Sequence, residues 1–207
     1  MSYPLDMAVA EPRTDKGRAT RNRVLDAATA LVFERGVAAT TLDDVRAAAN
    51  VSKGQLYHYF ADKEDLIHGV IDRTVQQVLD AQPGLSDLST WTAISRWFDG
   101  LVEIQNARHG VGGCPIGGLA GQLAELDEQS RLALAQGFDR WQEPVRSGLE
   151  KMRSHGKLRP DADPARLATA TLAAIEGGLV LTQSRRDPHQ LRIALDAAYA
   201  YLRTFAT

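Results

Sequence analysis

The run at residues 40–66, TTLDDVRAAANVSKGQLYHYFADKEDL, constrains this chain more than any other stretch, because it holds two helix starts joined by one tight corner. Thr41 with Asp44 three residues on makes a capping box for a short helix, and Leu42, Val45, Ala48 and Ala49 give that helix an apolar stripe. Asn50 falls where the corner needs a left-handed residue, a conformation Asn tolerates better than other ordinary side chains. Val51 plugs the corner. Ser52 and Gln55 make a second capping box, opening a helix with Leu56 and Tyr59 or Phe60 inward and Lys53, Gln55, Tyr57 and His58 outward. The pattern reads as a helix-turn-helix. Its outward chemistry suits DNA: Lys and Gln hydrogen-bond purine edges, and Tyr, His and Lys reach phosphates.

These residues resemble the DNA-binding region of the tetracycline-repressor (TetR) family of bacterial regulators. The resemblance rests on Thr41, Ala49-Asn50-Val51-Ser52, Gly54-Gln55-Leu56-Tyr57-His58-Tyr59-Phe60 and Lys63-Glu64-Asp65-Leu66. Asn50 stands where the family has a turn glycine, which preserves the backbone requirement. A second pattern, G-C-x-I-G-x-L-A from Gly113 to Ala120, looks like the sixth-helix motif of the LmrA/YxaF-like branch. The resemblance implies an all-α fold, with an N-terminal three-helix DNA-binding domain followed by a helical domain for ligand binding and dimerisation. It implies DNA contacts from Thr41, Ser52, Lys53, Gly54, Gln55, Tyr57, His58 and Lys63.

With 207 residues and 44% hydrophobic residues, the chain can bury a sizeable core. A formal net charge of -2 excludes a nonspecific nucleic-acid coat, so DNA binding has to be local. Positive charge is indeed concentrated beside the helix-turn-helix, where Arg13, Lys16, Arg18, Arg21 and Arg23 face only Asp15. A single cysteine forbids an intrachain disulfide, and the opening MSYPLDMAVAEP lacks the pattern of a signal peptide. No segment reads as long and apolar enough to span a membrane, so no membrane partner and a cytoplasmic location are expected.

In order along the chain, residues 1–15 read as a mobile arm, 16–62 as the DNA-binding domain and 63–207 as the effector-binding and dimerisation domain. Helices are expected at 16–35, 63–80, 90–109, 128–155, 165–184 and 189–204, with a weak glycine-rich helix starting at Cys114-Pro115. Asp127, Asp163 and Asp187 read as helix caps. Leu132, Leu134, Phe138, Trp141, Val145, Leu149 and Met152 form the inward face of the 128–155 helix, which Pro144 should kink. No strand pattern rises anywhere.

The aromatic residues Trp97, Phe98, Phe138 and Trp141 recur at helical spacing, which suits either core or an apolar effector pocket. The candidate effector set adds Leu101, Gln105, His109, Cys114, Ile116, Leu119, Ile175 and Glu176 to these four. A dipole at the helix start favours a Cys114 thiolate, although most such cysteines are small hydrophobes. By resemblance the last two helices pair with their copies in a second subunit, through Leu167, Thr171, Ala174, Gly178, Leu179, Leu191, Leu195 and Tyr199; intrachain core is the alternative reading. The five histidines show no metal-ligand spacing, and neither a cofactor nor a metal is expected. The expected partners are operator DNA, a small-molecule effector and a second copy of the chain. The function so implied is a ligand-responsive repressor. An enzyme using Cys114 as nucleophile, and an activator or architectural DNA binder without an effector, are the alternatives.

Overall fold

The computed structural model describes residues 12–207. Among these the chain forms nine helices, and the extended backbone pairing is one isolated bridge between Leu158 and Ala206, so the fold is all-α. The expected mobile arm lies outside the described residues over positions 1–11. Helix α1 (Asp15–Arg35) begins one residue earlier than its apolar pattern suggests, because Thr14 caps it by accepting the Gly17 N–H.

The chain divides into two compact units, and the division falls inside a helix rather than at the expected 62/63 boundary. The first unit holds the described residues up to Thr74 together with Leu119–Leu134. It contains α1, α2 (Leu42–Ala48), α3 (Lys53–Tyr59) and the first part of α4 (Lys63–Asp80). Val24, Leu25, Ala28 and Val32 of α1 join Val45, Leu56, Phe60, Leu66 and Val70 in its core. A methyl group on Gly69 would lie 2.8 Å from Leu25 Cδ2 and 3.3 Å from Phe60 Cε1, so the missing side chain lets α4 press against α1. The α2 stripe is narrower than expected. Only Val45 is buried within it, followed by Ala49, and Ala48 is exposed, because a helix of 7 residues turns just one short face inward. Residues 119–134 join this unit through polar ties: Gln122 Oε1 accepts the Val37 N–H at 2.8 Å, and His68 Nε2 lies 3.7 Å from Asp127 Oδ2.

The second unit comprises Val75–Gly118 and Ala135–Thr207. Its helices are α5 (Trp91–Ala107), the start of α6 (Pro115–Leu123), most of α7 (Glu128–Ser154), α8 (Pro164–Arg185) and α9 (His189–Arg203). The polar centre of this unit is Gln82, 7% exposed, just beyond α4. Its Oε1 accepts the indole N–H of Trp97 and that of Trp141, each at 3.1 Å, while its Nε2 donates to the Val78 carbonyl at 2.9 Å. Both tryptophans are fully buried, so one carbonyl oxygen satisfies two donors that have no water to turn to. α7 runs through Pro144 without ending. Two positions on it depart from expectation: Leu132 is 46% exposed, and Phe138 is half-buried. On α5 the helical phase buries Gln105 and leaves Ile104 half-buried.

Helices α8 and α9 pack on each other within one chain. A methyl group on Gly178 would meet Leu191 Cδ1 at 2.8 Å and Ala194 Cβ at 3.0 Å, and the Thr182 hydroxyl accepts the Leu191 N–H at 3.1 Å. Of the residues expected at a dimer interface, Leu167, Thr171, Gly178, Leu179, Leu191 and Leu195 are buried within a single chain, and Tyr199 stacks edge-on to Trp91 at 6.0 Å. Ala174 is half-buried. A charge at Gly178 would therefore break the fold of one chain before it touched any second copy. A further correction concerns α8, which at 22 residues is long and apolar enough to cross a membrane by length and composition. Part of that apolar character is buried in the fold, as at Leu172, Ile175 and Leu179, and part is exposed, at Val180 and Leu181.

The indole pair gives the clearest stability test. Gln82→Leu keeps the volume but leaves two buried N–H groups unpaired, and should lower the unfolding free energy by about 2–4 kcal/mol in urea denaturation. A loss below about 0.5 kcal/mol would show that the indoles do not depend on Gln82.

Candidate nucleic-acid interface

The recognition face is built by two reciprocal caps. At α2 the Thr41 hydroxyl accepts the Asp44 N–H at 3.1 Å and donates to Asp44 Oδ2 at 2.6 Å, while Asp44 Oδ2 also accepts the Thr41 N–H at 3.2 Å. These bonds hold the Asp44 carboxyl below the usual carboxylate range. At α3 the Ser52 hydroxyl accepts the Gln55 N–H at 3.1 Å, and Gln55 Oε1 accepts the Ser52 N–H at 2.8 Å. Between the two helices Asn50 has φ 50°, the left-handed corner expected of it, and Val51 is 6% exposed beneath. Arg23 of α1 adds a tie that sequence reasoning missed: its Nε donates to the Ala49 carbonyl at 2.9 Å, fixing the last residue before the corner. Nothing local in the sequence marks that bond, since the partners are 26 residues apart.

With Leu56 and Phe60 buried, α3 turns Lys53, Gly54, Gln55, Tyr57 and His58 outward, all exposed. Lys53 Nζ sits 5.9 Å from the Tyr57 ring centre, and His58 meets Tyr59 edge-on at 4.9 Å. Gly54 leaves the surface beside Ser52 low, which suits close approach of a sugar-phosphate strand. Lys63, at the start of α4, reaches the Ala38 carbonyl at 3.4 Å. The structure adds two chemical constraints to the sequence-expected set. Both hydrogen-bonding functions of the Thr41 hydroxyl are used in its own cap, so a phosphate contact from it has to displace Asp44. Gln55 has its oxygen engaged at Ser52, which leaves its amide N–H groups as the outward donors.

The basic segment before the corner is partly spent on the fold. Arg18 pairs with Asp15 and donates to the Pro12 carbonyl, Arg21 lies 5.5 Å over the Phe60 ring, and Arg23 holds Ala49. Arg13 and Lys16 remain exposed.

The residues expected to touch an effector separate into two groups. In the second unit Trp97, Phe98, Leu101, Gln105, Cys114, Ile116, Trp141 and Ile175 are buried, and Leu119 of the first unit is fully buried too. His109 does not join them: it is exposed at φ 50° in the turn after α5. Trp97 and Trp141 are committed to Gln82, so they read as core rather than as free pocket wall. Cys114 caps α6 through its sulfur, which accepts the Gly117 N–H at 3.4 Å. The thiolate expected from the helix dipole is not favoured here. Burial pushes the Cys114 thiol well up, and the neighbouring Glu176 carboxyl, which hydrogen-bonds to it, pushes it further. Burial, with the carboxyl beside the sulfur, outweighs the partial charge of one helix end. Burial likewise raises Glu176 above the usual carboxyl range. Its Oε2 lies 2.6 Å from where a methyl group on Gly117 would sit.

Fold and face together define a helix-turn-helix protein that binds DNA. Residues 24–70 match the bacterial regulatory proteins of the tetR family, and residues 90–197 match the C-terminal domain of LmrA/YxaF-like transcriptional regulators. The chain belongs to the TetR family. It is 30% identical over 176 residues to the transcriptional regulator AcuR of Cereibacter sphaeroides, covering 83% of this chain and 77% of that protein. With the HTH-type transcriptional repressor DhaR of a Mycobacterium species it shares 24% identity over 174 residues, covering 83% and 86% of the two chains. A crystal structure of a TetR transcriptional regulator from Chloroflexus aurantiacus superposes with a TM-score of 0.78 at 26% identity, over 93% of this chain and 98% of that one. The family and fold are those of DNA-binding transcriptional regulators, not of enzymes.

The double use of Gln55 can be tested by splitting it. Gln55→Glu keeps an acceptor for the Ser52 N–H but removes the outward donor, so folding stability should stay within about 0.5 kcal/mol while affinity for a cognate duplex falls by at least 1–3 kcal/mol, roughly. Gln55→Ala should lose affinity and also about 0.5–2 kcal/mol of stability through the cap. Fluorescence anisotropy and urea denaturation read the two effects separately. Wild-type affinity in Gln55→Glu would remove Gln55 from the DNA face.

Proposed function

We propose that this protein is a homodimeric repressor whose grip on a pseudo-palindromic operator is released by a small lipophilic effector bound in the C-terminal helices. The observation that carries the DNA half is the outward face of α3, where Lys53, Gln55, Tyr57 and His58 are exposed on a helix pinned at both its cap and its corner. Lys53 and the Gln55 amide would read base edges, with Ser52, Tyr57, His58 and Lys63 on phosphates. The similarity to DhaR, a named repressor, supports the direction of control.

The dimer reading is supported by what α8 and α9 leave uncovered. Val180 is 58%, Leu181 43% and Ile193 53% exposed, an apolar surface on the side of these helices away from their own seam. Two such surfaces would cover each other in a symmetric dimer, placing two copies of α3 about one turn of DNA apart. The effector reading is supported by the Cys114–Glu176 group described above, with Cys114 buried and Glu176 half-buried. A ligand can act as an inducer only if it binds the DNA-incompetent state more tightly than the other. The setting implied is cytoplasmic.

A footprint of the full chain over the DNA upstream of its own gene, repeated with a panel of lipophilic compounds, tests the release. One operator protected without compound and exposed with at least one is the expected result. Protection that no compound disturbs would favour a binder without an effector. For the dimer, Ile193→Arg should give monomers in sedimentation and lose operator affinity by at least about tenfold, with helix content unchanged. A full-strength dimer would remove this face from the interface.

A further inference from the structure

The second unit leaves one acid chemically incomplete. Glu176 lies on α8 with its Oε1 buried and without a hydrogen-bond partner. Among the described residues, the influences on its charge are burial and the Cys114 thiol, and no guanidinium, ammonium or imidazole acts on it. Leaving a buried acceptor unmet is costly, and a carboxyl without a counter-charge more so. The chain nevertheless makes room for it. Gly117 has no positive φ that would require glycine, yet a methyl group there would stand 2.6 Å from Glu176 Oε2. Any other residue at 117 would push the carboxyl out of its seat, so the glycine serves the acid rather than the backbone.

Among the described residues, the buried side-chain atoms of this unit that lack a partner are Glu176 Oε1 and Gln105 Oε1, and both are acceptors. Gln105 is 3% exposed. In sequence, Ile175 precedes the acid on α8 and Ile116 precedes Gly117 on α6, and both are fully buried. A half-buried carboxyl with one oxygen unmet and no counter-charge suits an occupant that brings a hydrogen-bond donor and positive charge.

We propose that the effector is an organic cation, an ammonium or amidinium on an apolar frame, and that Glu176 seated over Gly117 is its charge anchor. This rests on the effector reading above and narrows it. The group bound would donate to Glu176 Oε1, supplying the missing partner and the missing charge together.

The test uses the full-length protein and a graded series of phenylalkylammonium ions, with phenylalkanols and phenylalkanoates of the same lengths as matched probes. Binding is measured by calorimetry. The best ammonium should bind at least about tenfold more tightly than its alcohol, and the carboxylate should be excluded. Glu176→Gln keeps the shape of the side chain and should bring the ammonium-to-alcohol ratio to about one, with operator affinity unchanged. Gly117→Ala, which displaces the carboxyl, should lower the same ratio at least severalfold. Equal binding of ammonium and alcohol, tighter binding of the carboxylate, no binding of any ammonium, or a preference that survives in Glu176→Gln would each overturn the proposal. If neutral compounds release the operator while ammonium ions show no preference, the cation assignment fails and the effector reading stands. If no compound of any charge releases it, the effector reading itself has failed.

Discussion

The corner between α2 and α3 depends on backbone groups being satisfied at a place where helices normally leave them bare. The first N–H groups of any helix lack partners inside it. Here each start meets its need with a side chain three residues away that returns the favour, Thr41 with Asp44 and Ser52 with Gln55. Neither 7-residue helix could hold itself in water. Asn50 supplies the reversal, and Arg23 reaches from α1 to hold the carbonyl before it. The recognition face is therefore rigid for local reasons. The cost falls on chemistry: Thr41 and half of Gln55 are used in building the face, and its exposed polar groups on α3 are Lys53, the Gln55 amide N–H groups, Tyr57 and His58.

The C-terminal unit solves a different problem, polar groups in a large apolar interior. Two indole N–H groups from α5 and α7 converge on Gln82, whose own amide returns to the end of α4. Every member is satisfied, which makes this node structural. The Cys114–Glu176 group is the contrasting case, with Cys114 buried, Glu176 half-buried and its buried Oε1 left open. Satisfied networks specify a fold, whereas an open acceptor in a dry setting is costly to keep and favours an occupant.

Features set by neighbours in sequence were legible in the chain itself. The caps at Thr41, Ser52, Asp127 and Asp163, the left-handed Asn50 and the end of α1 all depend on a few adjacent residues. The outward face of α3 followed from them. Features set by distant partners were not. Ala, Gly, Thr, Val and Leu run nearly all round α8, so periodicity could not tell the seam with α9 from the surface left outside, and the seam residues read as a subunit interface. Trp97 and Trp141 stood out as aromatics, but their shared acceptor at Gln82 is 15 and 59 residues away. Gly117 looked like a helix weakener until the carboxyl above it was placed.

The most direct measurement of the account is selection of duplexes from a randomised pool by the full chain, followed by sequencing of the bound fraction. Two rigid α3 faces on a symmetric dimer predict an inverted repeat whose half-sites are centred about 10 base pairs apart, or a multiple of that turn. Enrichment of a single unrepeated element, or no enrichment over the starting pool, would contradict it.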